Sequence, residues 1–159
     1  ENSSQILDLL NAIMDLAEAE TQTMKLKLVP IHLLTLIERL MDFFQFTAEE
    51  KNISFSVEIS SSLWIKGDET RLLQALGNLI DNAVKSSGKG TTVRINSEEF
   101  GHSVKLSIID QGIGITASDI PRVWERLYRS DRSRSTPGAG IGLSLVKAII
   151  TVHGGEVGV

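Results

Sequence analysis

Asp68-Glu69-Thr70-Arg71-Leu72-Leu73-Gln74-Ala75-Leu76-Gly77-Asn78-Leu79-Ile80-Asp81-Asn82-Ala83-Val84-Lys85-Ser86 reads as one helix with two distinct faces. Asp68 offers a side-chain acceptor to the open N–H groups of the first turn. Leu72, Leu73, Leu76, Leu79, Ile80 and Ala83 recur at helical spacing and make an apolar face. Gln74, Asn78, Asn82 and Lys85 follow at spacings of four, four and three, so they share a polar stripe. Such a stripe is either a solvated face or a holder of metal and phosphate. In the second case the amide oxygens act as hard ligands and the lysine as a point charge.

On the N-terminal side, Ile53, Phe55, Val57 and Ile59 alternate with Ser54, Ser56, Glu58 and Ser60, the pattern of a half-buried strand. Leu33, Leu34, Ile37, Leu40, Met41, Phe44 and Ala48 predict a helix with one broad apolar face, and Pro30 is expected in its first turn. Residues 4–23 predict another helix, whose narrow stripe of Ile6, Leu10, Ile13 or Met14, and Ala17 suits packing on a second helix. On the C-terminal side, Val93 with Ile95 and Val104 with Leu106 and Ile108 predict two strands, joined by a turn at Gly101. A short helix is expected over 117–127, and a mobile loop rich in Arg, Ser, Pro and Gly over 128–139. A last helix is expected over 141–153, stopped by Gly154 and Gly155, with a strand from Glu156. This order predicts an α+β, two-layer sandwich, a mixed sheet covered on one face by helices. The pattern breaks off at Val159 and opens at Glu1 rather than Met, so the chain reads as a fragment whose last strands are truncated.

The bulk composition narrows the function. The 159 residues suit one domain, and 42% hydrophobic content supports a core. A net charge of −4 supplies no general field for nucleic acid, so any phosphate must be held locally. With no cysteine, disulfides and thiolate metal sites are excluded. No apolar run approaches the roughly 20 residues of a membrane span, and no signal peptide is visible. His32, His102 and His153 lack metal-ligand spacing, and Trp64 and Trp124 are read as packing residues.

Two further segments carry chemistry. Asp110-Gln111-Gly112-Ile113-Gly114 follows an apolar strand. Its aspartate can accept from a ligand amine, and its glycines allow close backbone approach or positive φ. The alternative is a plain loop with an Asx turn. Gly138-Ala139-Gly140-Ile141-Gly142 opens the last helix. Free N–H groups and the helix dipole there can bind an anion, or the glycines serve only a tight packing turn. Arg126, Arg129, Arg132 and Arg134 precede it, either facing phosphates or forming a solvated basic loop.

Taken in order, these segments resemble the nucleotide-binding boxes of the sensor histidine kinases, within the wider superfamily of gyrase, heat-shock chaperone, histidine kinase and mismatch-repair ATPases. Asn78–Lys85 looks like the asparagine box, Asp110–Ile115 the first glycine box and Val123–Arg129 the phenylalanine box. Gly138–Val146 looks like the second glycine box, with His153-Gly154-Gly155 following. The resemblance implies the Bergerat-type ATP-binding fold and a site for ATP and Mg²⁺. It would make Asn82 the metal ligand, with Asn78 close to the metal or phosphates and Lys85 on the phosphates. Asn78 and Lys85 would be the catalytic groups of the helix, and both would hold the cofactor together with Asn82. Asp110 would accept from the adenine amine beside Gly112, Gly114 and Ile115. Gly138, Gly140, Ile141, Gly142 and Leu143 would bring backbone to the phosphates. Residues 128–139 would form the ATP lid, with Tyr128 and Arg134 reaching the nucleotide. Residues 1–24 would be the remnant of the second dimerisation helix, and 25–159 the catalytic domain.

Several residues depart from the family pattern. Ser86 stands where relatives usually carry an aromatic residue against adenine, Trp124 and Leu127 replace phenylalanines, and Gln111 replaces asparagine or threonine. The phosphoacceptor motif, a histidine followed by an acidic residue, is absent, so the γ-phosphoryl would go to a histidine on a dimerisation domain outside this chain. The expected partners are that domain and a downstream response regulator, with no nucleic acid and no membrane contact in this segment. The whole protein would be a homodimer, with this domain on the cytoplasmic side of an inner membrane. The competing readings are an ATP-hydrolysing module and a nucleotide-binding pseudokinase scaffold. ATP-hydrolysing relatives carry a glutamate four residues before the metal asparagine to activate water; here that position is Asn78, which takes no proton.

Overall fold

The computed structural model describes residues 2–128 and 140–159. They fall into two compact units, Leu28–Gly114 and the N-terminal residues to Lys27 together with Ile115–Val159.

The unit Leu28–Gly114 holds the five strands found among the described residues. They are β1 (Val29–His32), β2 (Ser54–Glu58), β3 (Trp64–Gly67), β4 (Thr92–Phe100) and β5 (Ser103–Ile109), with helices α2 (Leu33–Glu50) and α3 (Glu69–Ser86) between them. β2, β4 and β5 form one mixed sheet, β2 parallel and β5 antiparallel to the central β4. Its register places Phe55 beside Val93, Val57 beside Ile95, and Ile95 beside Ile108. One face is therefore apolar. The neighbouring positions Ser54, Ser56, Thr92, Arg94, Lys105 and Ser107 put polar groups on the other. The α2 and α3 helices pack on each other and on these strands, burying Leu33, Leu36, Ile37 and Leu40 from one and Leu72, Ala75, Leu76, Ile80 and Val84 from the other. This is the helix-on-sheet, α+β arrangement expected from the sequence. Gly101, at φ +58°, makes the two-residue turn between Phe100 and Ser103.

Pro30 is not in the first turn of α2. It lies in β1, opposite Lys66 of β3, a strand that short alternation did not reveal. Leu33 N donates to Leu63 O at 3.0 Å, which sets the odd-numbered positions of β1 as the hydrogen-bonded pairs. Pro30 thus occupies a non-bonded position, where its missing N–H breaks no ladder. His32 takes over the start of α2: its Nδ1 accepts from Thr35 N, and its Nε2–H donates to Ser61 O at 2.7 Å. Trp64, expected to pack, is 61% exposed and leans on the His32 ring at 5.1 Å.

In the other unit, α1 (Asn2–Glu20) lies against α4 (Gly142–Val152). The α1 helix buries Leu16 and Ala19, whereas Leu10, Ile13 and Met14 of the expected packing stripe are exposed. The short helix expected over 117–127 shrinks to a 3₁₀ turn at Ile120–Arg122, held by Arg122 N and Val123 N donating to Asp119 O. Residues 156–159 are not a strand: the alternation of Val157 and Val159 is present, but no described strand pairs with it. Among the described residues no helix is long and apolar enough to cross a membrane.

Candidate functional site

The polar stripe of α3 is built as its spacing predicts. Asp68 Oδ1 caps the helix by accepting from Arg71 N at 3.1 Å. The apolar side of α3 is fixed against α2, with Leu40 touching the position where a β-carbon on Gly77 would stand. Burying that side leaves Asn82 and Lys85 exposed. Asn78 is half-buried, and its amide nitrogen donates to Gln74 O at 3.1 Å, which leaves the amide oxygen as its remaining acceptor. The Asn82 side chain has no hydrogen-bond partner among the described residues, so its oxygen is open to a hard cation. Lys85 Nζ sits 2.5 Å from Asp81 Oδ2, one turn back, both groups being a third or more exposed. An exposed pair of this kind is worth roughly 0–1 kcal/mol, so the ammonium is easily drawn onto a phosphate. No described cluster of three or more His, Asp or Glu side chains could hold a metal alone. A cation at Asn82 would therefore take its other oxygens from phosphate and water, as Mg²⁺ commonly does.

The first glycine segment docks on the end of α3. Ser87 and Gly112 form an isolated antiparallel bridge. Gly112 N donates to Asp110 Oδ1 at 2.8 Å, the local turn that an aspartate favours at a strand end. Gln111 Oε1 accepts from Thr92 N at 3.1 Å, which ties the same loop to β4. Asp110 is exposed and its Oδ2 has no partner among the described residues. Gly114 takes φ +68°, which explains the glycine there. Ser86, at the position of the family's aromatic residue, turns its hydroxyl back to Asn82 O at 2.8 Å.

Lys51 was not singled out by its sequence. Its Nζ donates to Val84 O at 2.9 Å and Lys85 O at 3.1 Å, closing the open carbonyls of the last turn of α3. A positive end group there also suits the helix dipole.

In the other unit, Ile115 is exposed and Tyr128 is half-buried, its hydroxyl donating to Asp119 Oδ1 at 2.5 Å. That hydrogen bond, then desolvation and the Asp119 charge, raise the phenol pKa; Arg122, 4.3 Å above the ring, pulls it the other way. Gly140 takes φ +71° and leads into α4 at Gly142. Ile141 precedes the helix without a side-chain cap hydrogen bond, so its own side chain closes none of the first N–H groups. Leu143 follows in the first turn, half-buried. Arg126 forms a two-pronged ion pair with Glu20, its Nε donating at 2.8 Å. Arg129, Arg132, Arg134 and Gly138, with nearly all of the expected lid, lie outside the described residues. His32 has both ring nitrogens engaged, and His153 Nδ1 donates to Ile149 O at 2.8 Å.

Residues 67–159 match the family model described as the histidine kinase-, DNA gyrase B-, and HSP90-like ATPase. The sensor-like histidine kinase SenX3 of Mycobacterium tuberculosis is 30% identical over 98% of this chain, which spans 38% of that protein. The sensor histidine kinase CusS of Escherichia coli is 28% identical over the full chain and 33% of its own length. Among solved structures, full-length ShkA in complex with AMPPNP superposes with a TM-score of 0.85 at 28% identity, over 99% of this chain and 34% of that one. The Acinetobacter baumannii histidine kinase AdeS gives 0.76 at 26% identity, over 95% of this chain and 70% of that one. The chain thus corresponds to about a third of the curated relatives it matches.

Proposed function

Since the chain belongs to the histidine kinase-, DNA gyrase B-, and HSP90-like ATPase family, as the catalytic ATP-binding domain of a histidine kinase, we propose that it binds Mg-ATP and passes the γ-phosphoryl to a histidine on a dimerisation domain. The observation that carries this reading is the α3 stripe, with its open Asn82 amide and its transferable Lys85, beside the Asp110 loop docked at the end of the same helix. Asn82 would hold Mg²⁺ and Lys85 would neutralise phosphate charge, while Asp110 would take the adenine amine. Asn78, Gly112, Gly114, Ile115, Tyr128, Arg134, Gly138, Gly140, Ile141, Gly142 and Leu143 keep the roles implied by the resemblance. The protein's contribution is positioning and charge stabilisation, as in other phosphoryl transfers. Residues 1–24 would be the end of the second dimerisation helix of a homodimeric sensor that signals to a response regulator, with this domain in the cytoplasm beneath an inner membrane.

Transfer is favoured over hydrolysis by Asn78. The residue one turn before Asn82 is an amide already bonded to Gln74 O and cannot deprotonate water. The test is radiolabelled ATP with this chain alone, then with the phosphoacceptor domain added as a separate chain. The chain alone should bind ATP, stay unlabelled and release phosphate slowly. The added domain should acquire acid-labile label, weakly, because the covalent link that raises effective concentration is missing. Label on the isolated chain, or rapid phosphate release without an acceptor, would sink the proposal, the latter in favour of an ATPase.

A further inference from the structure

Ser87 Oγ and Asn96 Oδ1 are the side-chain polar atoms that lie buried without a hydrogen-bond partner among the described residues. Ser87 is only 6% exposed. A buried hydroxyl with no partner marks a place where a water or a ligand supplies the missing bond. The position of Ser87 suggests which. It follows the last residue of α3 in extended conformation, its N–H donating to Ala83 O, and it bridges Gly112. Gly112 N is in turn bonded to Asp110 Oδ1. The unpaired hydroxyl therefore belongs to the residue that faces the Asp110 loop, whereas the neighbouring Ser86 has spent its own hydroxyl on the helix.

We propose that Ser87 is a second base-reading residue, donating directly or through one water to the ring nitrogen next to the amine that Asp110 accepts from. This rests on the ATP reading above. A carboxylate only accepts, while a hydroxyl can donate. The two together match an edge that presents an amine donor beside a ring acceptor, as adenine does. Guanine presents a carbonyl and a ring N–H at the same places, so its oxygen would face the Asp110 carboxylate. In this arrangement Asp110 supplies most of the discrimination and Ser87 supplies affinity.

The two roles separate with a purine riboside triphosphate that lacks the amine but keeps the ring nitrogen. Calorimetry with Mg²⁺ should show Ser87→Ala weakening ATP and this analogue by the same factor, roughly fivefold for one neutral hydrogen bond. Asp110→Asn should weaken ATP and leave the analogue nearly unchanged. Ser87→Thr, which keeps the hydroxyl, should bind like the parent protein. Without nucleotide, Ser87→Ala should unfold at the same or a higher urea concentration, because it removes an unpaired polar atom. Unchanged binding of both ligands by Ser87→Ala overturns the proposal, and so does a loss of nucleotide-free stability, which would give the hydroxyl a structural partner. Failure of the parent protein to bind ATP at all would instead overturn the kinase reading, and this inference with it.

Discussion

A β-carbon on Gly112 would stand 2.5 Å from the carbonyl oxygen of Ser86 and 2.6 Å from Asp110 Oδ1. The loop that carries Asp110 is thus laid backbone to backbone on the end of α3, and only glycine permits it. Gly112→Ala must push the loop away. The expected cost is about 1–3 kcal/mol of stability, as for other overpacked contacts, read as a lower urea midpoint. ATP affinity should fall as well, because Asp110 moves with the loop.

Asp110→Asn tests the base contact without disturbing this packing. The amide oxygen can still accept from Gly112 N, but the other position can now present a donor to the adenine amine. A lost charge-assisted hydrogen bond is worth about 1.5–3 kcal/mol. ATP should weaken accordingly in competition against a fluorescent analogue, with GTP affected much less. An unchanged ATP affinity would place Asp110 outside the base pocket.

Asn82 and Lys85 should separate in their metal dependence. Asn82→Ala is expected to bring ATP affinity with Mg²⁺ down to its value with chelator. Asp81→Asn should change affinity little, since it releases Lys85 from a solvent-exposed pair worth at most about 1 kcal/mol. Titration calorimetry with a non-hydrolysable analogue reads both effects. A full Mg²⁺ dependence surviving in Asn82→Ala would remove its role as a ligand.

Lys51→Met strips the last turn of α3 of its cation. The lost bonds to Val84 O and Lys85 O, at 2.9 and 3.1 Å, should cost about 1 kcal/mol at this partly buried helix end. Equilibrium urea unfolding measures it, and a midpoint equal to that of the parent would show those carbonyls to be equally well served by water.

Tyr128 gives a pH signature. Its pKa is raised above 10.0, first by the hydrogen bond to Asp119. A raised folded-state value means that the protonated phenol is favoured by folding. That contribution is complete below the unfolded value and is lost as pH rises through the folded one. Through Tyr128, stability should therefore not vary with pH around neutrality, where the contribution is fully present, and any loss is confined to the alkaline side. The chain has one tyrosine, so an ultraviolet difference titration follows it alone. Asp119→Asn should bring its midpoint down towards the ordinary phenol value, and an equal midpoint in both proteins would contradict the Asp119 contact.

Much of the architecture is local and so was legible in the chain itself. The cap at Asp68, the period of α3 and the alternation of β2, β4 and β5 are each fixed by residues a few positions apart, where backbone geometry imposes the spacing. The same locality placed Gln74, Asn78, Asn82 and Lys85 on one stripe and gave the glycine segments their order. What the sequence left open depends on partners distant along the chain. Pro30 looked like a helix opener because nothing nearby shows that Lys66 lies opposite it. Lys51 gave no sign of closing a helix more than 30 residues away. Gly112 could have served positive φ or close approach, and only the bridge to Ser87 decides for the approach. Ser87 itself is an ordinary loop serine until folding buries its hydroxyl without a partner, because solvation is settled by the packed surroundings and not by neighbours in sequence.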